Sequence, residues 1–282
     1  MIVPGSTSQA LAAELASVLD DRLAPVEYER FPDGELLASV PGIETDRATV
    51  VASTVSSDAH VELLQLQDAL REAGVEEITT VIPYMGYARQ DRAFVPGQPI
   101  SARAAARALS AGTDRVLTVD PHEEAILEFF DAPAESVTAA DRLAEPLPDL
   151  TDPVFLSPDS GAVGLAETVR DAHGAGETDY FEKTRRSGSE VEIAPSDVDV
   201  AGRDVVVVDD IIATGSTMSE AITVLRNRAP ERVFVTCVHP MLADNARTKL
   251  ARAGVDAVYG TDTIERVESR VSAAPAVAGA LR

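Results

Sequence analysis

Asp209 and Asp210 stand side by side at the end of the valine run 205–208, and the small polar stretch Thr214, Gly215, Ser216, Thr217 follows within a few residues. An acid pair accepts hydrogen bonds from vicinal hydroxyls or takes a metal ion. It repels phosphate. The stretch after it has the opposite character, because a loop leading into a helix presents unpaired N–H groups, hydroxyls and the positive helix end to an anion. The combination suits a ligand with a diol at one end and a phosphate at the other, and reads as a sugar-phosphate pocket.

Four other stretches carry chemistry of their own. Residues 31–35 (Phe-Pro-Asp-Gly-Glu) form a turn in which Phe31 could stack on a purine while Asp33 and Glu35 accept from its amine or from a ribose; an ordinary Pro-Asp-Gly turn is the plainer alternative. Residues 84–92 follow an apolar run and hold Arg89 and Arg92, and arginine suits bidentate phosphate contacts. Residues 116–122 end in Asp120 and His122, which point to a phosphate or metal contact. The stretch 181–190 contains Lys183, Arg185 and Arg186; Lys183 and Lys249 are the only lysines of the chain, so a lysine kept here suggests that arginine does not substitute for it.

The elements that must position these residues alternate between strand-like and helix-like patterns from end to end, as in α/β folds with mainly parallel sheets. Valines 205–208 show no alternation, which fits a strand buried on both faces. Strands are expected near 2–4, 48–53, 78–83, 115–119, 154–157, 204–208, 233–238 and 256–259. Helices are expected near 60–73, 101–110, 162–172, 216–228 and 243–253, with a first one carrying Leu11, Leu15, Val18 and Leu19 and opened by a capping box at Ser6 and Gln9. The order repeats in two halves, and the proline-rich stretch 146–153 divides them into 1–145 and 146–282. How the tail from Ile264 docks is not readable, packing back on the first half being one outcome.

The 282 residues have room for two domains, and the formal charge of −23 with a pI near 4.4 comes with very few lysines. Such a surface is typical of proteins that work in concentrated salt, and points to an extreme halophile. The charge argues against nucleic acid as a partner. The lone Cys237 excludes an intrachain disulfide and reads as a packed strand residue, and the histidines show no zinc spacing. No apolar run is long enough to span a bilayer and no signal-peptide pattern opens the chain, so a cytoplasmic protein is expected.

The 209–217 stretch resembles the signature of phosphoribosyl diphosphate-binding proteins, shared by type I phosphoribosyltransferases and ribose-phosphate pyrophosphokinases. With 31–35, 87–92 and 120–122 in the same chain and in that order, the resemblance narrows to the ribose-phosphate pyrophosphokinases, most closely the archaeal form, over nearly the whole length. It implies two tandem phosphoribosyltransferase-like domains, each a mainly parallel sheet flanked by helices. It implies transfer of the diphosphoryl group of ATP to the 1-hydroxyl of ribose 5-phosphate, with Mg²⁺ as cofactor, in a homo-oligomer. Carried over by residue, the resemblance assigns Lys183 and Arg185 to catalysis and Phe31, Asp33, Gly34, Glu35, Arg89, Gln90, Asp91 and His122 to ATP. Arg185, Asp209, Asp210, Ala213, Thr214, Gly215, Ser216 and Thr217 fall to ribose 5-phosphate, and Asp120, His122 and Asp159 to the metal. Many members have Asp where this chain has Ala213 and Gly where it has Ser216. A phosphoribosyltransferase would have no reason to keep the motifs of the first half. A non-catalytic regulatory homologue would be marked by a damaged Lys-x-Arg segment, which is intact here.

Overall fold

The computed structural model describes the backbone of residues 1–187, 190–194 and 198–282, and the side chains outside 182–197. Contacts divide the chain into two units, Met1–Thr138 with Asp262–Glu265 and Ser272–Arg282, and Ala139–Thr261 with Arg266–Val271. The proline-rich stretch 146–153 lies within the second unit, and the tail from Ser272 belongs to the first.

In the first unit, β1 (Ile2–Pro4), α1 (Gln9–Leu19), the hairpin β2 (Glu27–Arg30) and β3 (Leu36–Ser39), β4 (Arg47–Val51), α2 (Ser57–Glu72), β5 (Glu77–Ile82), α3 (Ser101–Ser110), β6 (Arg115–Val119) and β7 (Ala134–Val137) follow in turn. The main sheet has the order β1-β4-β5-β6-β7 and every pairing in it is parallel. Its strands carry Val3, Val50, Ile78, Ile82 and Val116 into a core shared with Leu63, Leu66 and Leu70 of α2 and Leu109 of α3. The hairpin gives no apolar signal, because all of β2 (Glu-Tyr-Glu-Arg) is exposed. It is one of several elements that periodicity did not reveal.

The expected capping box at Ser6 and Gln9 is absent. Both the N–H and the hydroxyl of Ser6 donate to the Glu62 carboxylate, at 2.7 and 2.6 Å, and Ser8 precedes the helix without a side-chain cap. The free N–H groups of α1 are taken instead by Glu265, which accepts from Ala10 at 2.6 Å and Leu11 at 3.2 Å.

The second unit runs β8 (Val154–Ser157), α4 (Val163–His173), β9 (Glu177–Tyr180), β10 (Glu182–Ser187), β11 (Glu190–Ala194), β12 (Asp204–Ile211), α5 (Ser216–Arg226), β13 (Arg232–His239), α6 (Ala246–Ala253), β14 (Ala257–Thr261) and β15 (Ser269–Val271). A last helix, α7 (Ala274–Leu281), packs on α1 in the first unit. The sheet of the second unit, β15-β14-β13-β12-β8-β9, is again wholly parallel, with β10 and β11 a separate antiparallel ribbon. Residues 205–208 are fully buried, as a strand covered on both faces requires. At the opposite end from the acid pair, buried Asp204 receives a two-pronged contact from Arg232 at 2.9 and 2.6 Å. That guanidinium holds the Asp204 carboxyl below its ordinary range and pins β12 to β13.

Candidate active site

Strand order fixes where the second unit can bind a ligand. From β8 the chain moves outward to β9, then returns to place β12 on the other side of β8. Open parallel sheets bind ligands outside the carboxyl ends of the strands at such a reversal. The register pairs Val207 with Leu156, so Asp209 and Asp210, near the carboxyl end of β12, lie beside the turn in which Asp159 follows β8. Asp159 accepts from the N–H of Gly161 at 3.0 Å, opening a short 3₁₀ turn. Asp209 is pushed well above the ordinary carboxyl range, first by burial, then by the charges of Asp210 and Asp159. Three carboxylates are therefore gathered closely enough to oppose one another's ionisation, which is the environment that hydroxyl donors or a cation relieve. Behind them Cys237, in register with Asp209, is buried, and burial pushes its thiol up. It is a packed strand residue, as expected.

The loop beyond the acids is stitched down by its carbonyl groups. The carbonyls of Ile212 and Ala213 accept from the N–H groups of Leu242 and Ala243 at 2.8 and 2.9 Å, and that of Thr214 accepts from the Lys249 ammonium at 3.1 Å. With these carbonyls turned towards residues 242–249, no N–H from Ala213 to Thr217 has a protein acceptor among the described hydrogen bonds. Gly215 has φ +69° and is the N-cap of α5; a Cβ there would meet Ala246 at 3.3 Å. The result is a row of donors at a helix start, with the exposed side chains of Thr214, Ser216 and Thr217 around it. This is an anion cradle. Lys249 also donates to the Ser216 hydroxyl at 2.8 Å. Sequence reasoning did not assign this residue, although the rarity of lysine, already used for Lys183, was a signal for it too.

In the first unit the tip of the β2–β3 hairpin is residues 31–35. Phe31 donates to the Glu35 carbonyl at 2.8 Å, Gly34 takes φ +94°, and the Glu35 N–H reaches Asp33 at 3.2 Å. Phe31 is 38% exposed, a ring left open for stacking. Arg30 ties the Gly34 carbonyl to Asp58 at the start of α2, both at 2.6 Å.

The preceding residue, Ser57, contacts the Tyr87 hydroxyl at 2.9 Å, so the hairpin and the loop after β5 meet the same helix end. That loop is tightly held. Gly86 donates to the Thr54 hydroxyl at 2.8 Å, and a Cβ on Gly86 would lie 2.1 Å from the Thr54 carbonyl, which excludes any other residue. Tyr87 takes φ +64°, with its ring 5.2 Å from that of His60, whose Nε2 is buried without a partner and whose pKa burial lowers. Gln90 donates to the Tyr87 carbonyl at 3.0 Å and is anchored to the start of α3 through Ser101 and Ala102, at 2.6 and 3.2 Å. Exposed Arg89 thus sits between two fixed neighbours, followed by half-buried Asp91. β6 lies beside β5 and is followed by Asp120, at φ +36°, and the exposed His122.

Among the described residues no group of three or more His, Cys, Asp or Glu could by itself hold a metal ion. Mg²⁺ does not demand one, since it keeps several waters and is commonly held by one or two carboxylates and substrate phosphates. The Asp159, Asp209 and Asp210 oxygens are hard donors of the right kind. Lys183 and Arg185 lie in β10, in register with Ile193 and Val191 of β11; their side chains are outside the described residues. The ribbon is rooted by Phe181, which is buried and donates to the Ser157 carbonyl at 3.1 Å, two residues before Asp159. No helix among the described residues is long and apolar enough to cross a membrane.

Known proteins resemble this chain over its full length. Residues 1–112 match the family described as the N-terminal domain of ribose phosphate pyrophosphokinase, and residues 131–270 match the phosphoribosyl transferase domain. A ribose-phosphate pyrophosphokinase of Halobacterium salinarum is 65% identical over all of both chains. One from Methanosarcina mazei is 46% identical over 99% of this chain and 94% of its own. The crystal structure of phosphoribosylpyrophosphate synthetase from Mycobacterium smegmatis superposes with a TM-score of 0.83 at 30% identity, covering 100% of this chain and 97% of that one.

Proposed function

The chain belongs to the ribose-phosphate pyrophosphokinase family, and we propose that residues of its first unit hold ATP while those of its second hold ribose 5-phosphate. The reaction moves the β,γ-diphosphoryl group of ATP. The bond from the β-phosphorus to the α–β bridging oxygen breaks, a bond to the ribose 1-oxygen forms, the hydroxyl proton is released, and 5-phosphoribosyl 1-diphosphate and AMP result. The product is the activated ribose of nucleotide biosynthesis.

The observation that carries the assignment is the placement of the acids Asp159, Asp209 and Asp210 at the strand reversal, next to an N–H-lined cradle. The acids accept from the ribose hydroxyls, and the 213–217 loop surrounds the 5-phosphate. Phe31 stacks on the adenine; Asp33 and Glu35, with Gly34 shaping their turn, accept from its amine or ribose. Arg89, Gln90 and Asp91 face the nucleotide, Arg89 through its phosphates. Lys183 and Arg185 meet the charge that develops on the bridging oxygen, an effect that operates mainly in the transition state. Asp120 and His122 of the first unit and Asp159 of the second are the residues that would hold Mg²⁺, which would neutralise phosphate charge when bound. His122 contacts phosphate or metal-bound water as readily as the ion itself, because imidazole is a poor ligand for so hard a cation. The chain reads as a cytoplasmic homo-oligomer, which size-exclusion chromatography in molar KCl checks.

AMP release from ATP in molar KCl should require ribose 5-phosphate. Lys183→Ala should fold normally and lose roughly 10³-fold in turnover; near wild-type turnover would overturn its role. A phosphoribosyltransferase would instead need a base and release pyrophosphate.

A further inference from the structure

Beyond the residues assigned so far, one cation is bonded to the phosphate cradle. Lys249 is on α6, whose Ala246 lies so near the loop that a Cβ added to Gly215 would meet its backbone at 3.3 Å, so the distance from helix to loop is set by backbone and not by a flexible stem. Its ammonium has three N–H donors. Two are used, on the Thr214 carbonyl at 3.1 Å and the Ser216 hydroxyl at 2.8 Å. The third has no protein acceptor among the described residues. The electrostatics of the loop call for such a group: it closely follows Asp209 and Asp210, which oppose a dianion, while the N–H groups of 213–217 carry only partial charge. A compact ammonium that touches the Ser216 hydroxyl lies within a second hydrogen-bond length of a phosphate oxygen bound to that hydroxyl, close enough for direct attraction.

We propose that Lys249 supplies the fixed positive charge of the 5-phosphate pocket, bracing the loop through Thr214 and Ser216 when the pocket is empty and donating to the phosphate when ribose 5-phosphate is bound. The proposal rests on the assignment of the 213–217 loop to that phosphate. In a chain whose other basic residues, Lys183 apart, are all arginine, a lysine suits this position: a planar guanidinium fork would compete with the loop N–H groups for the same oxygens, whereas a point charge adds to them.

Lys249→Met keeps the stem and removes the charge; Lys249→Gln does so with a polar end. Calorimetry in molar KCl should show ribose 5-phosphate bound about tenfold more weakly by both, and steady-state rates should show its KM raised while that of ATP stays within about twofold. Lys249→Arg, which restores the charge but not its compact shape, should recover only part of the loss. If Lys249→Met melts early, Lys249→Gln carries the same measurement. Unchanged affinity for ribose 5-phosphate, or an equal loss for ATP, overturns the proposal. Thr217→Val and Asp209→Asn separate the two levels of inference. If these weaken ribose 5-phosphate and the Lys249 variants do not, the role of Lys249 alone is wrong; if none of them does, the loop assignment is wrong as well.

Discussion

Asp209 shows function and stability pulling apart at a single residue. Its folded-state pKa is raised above that of the unfolded chain, by burial and by Asp210 and Asp159. The folded protein therefore holds this proton more tightly than the unfolded one. The resulting stabilisation is complete below the unfolded carboxyl pKa and is lost as pH rises through the raised folded value. At neutral pH the ligand-free fold carries a repulsion that substrate hydroxyls and cation relieve. Asp209→Asn, which preserves the oxygen that accepts from the Asp210 N–H at 3.0 Å, should melt a few degrees higher than wild type when ligand-free. The same variant should bind ribose 5-phosphate at least about tenfold more weakly. Melts across a pH series check the cause: the gap should close on acidification, as the wild-type carboxyl takes up its proton. Equal melting at neutral pH would show that the three acids do not oppose one another.

At the scale of elements, α1 depends on a residue far away in the chain. Glu265 takes the N–H groups of Ala10 and Leu11 that Ser8 leaves without a side-chain cap, and its charge is matched to the positive helix end. Glu265→Ala should cost about 1 kcal/mol, read as a melting temperature lower by roughly 2–4 °C, with the KM of ribose 5-phosphate unchanged. The contrast with the sequence reading shows which physics is local. Valines 205–208 were legible as a two-face-buried strand, and the acids and small polar loop beyond them as a pocket, because burial and turn chemistry are written in consecutive residues. The cap was not, since Ser6 and Gln9 have the right spacing but Ser6 is drawn away by Glu62. The β2–β3 hairpin was not, because an exposed antiparallel pair of charged residues has no apolar period. Lys249 was not, because 33 residues separate it from Ser216 and only the folded sheet brings them together.

The whole molecule carries a formal charge of −23, which fits a protein that works in concentrated salt. At low salt the self-repulsion acts over a Debye length of about 30 Å at 0.01 M, against about 3 Å at 1 M. The melting temperature should climb steeply between dilute buffer and molar KCl, with activity following it; flat thermal melts would show that the acidic surface does not set stability. Two domains of parallel sheet were legible at this scale from the alternation of elements. The path of the tail was not, because α7 is an alanine-rich segment whose partner, α1, lies at the other end of the chain. That path has a consequence for biosynthesis. Since Asp262–Glu265 follows most of the second unit and Ser272–Arg282 follows all of it, a nascent chain emerging N-terminus first cannot cap α1 until Glu265 has been made, nor cover its face until α7 has. The first unit to emerge is thus the last to be finished.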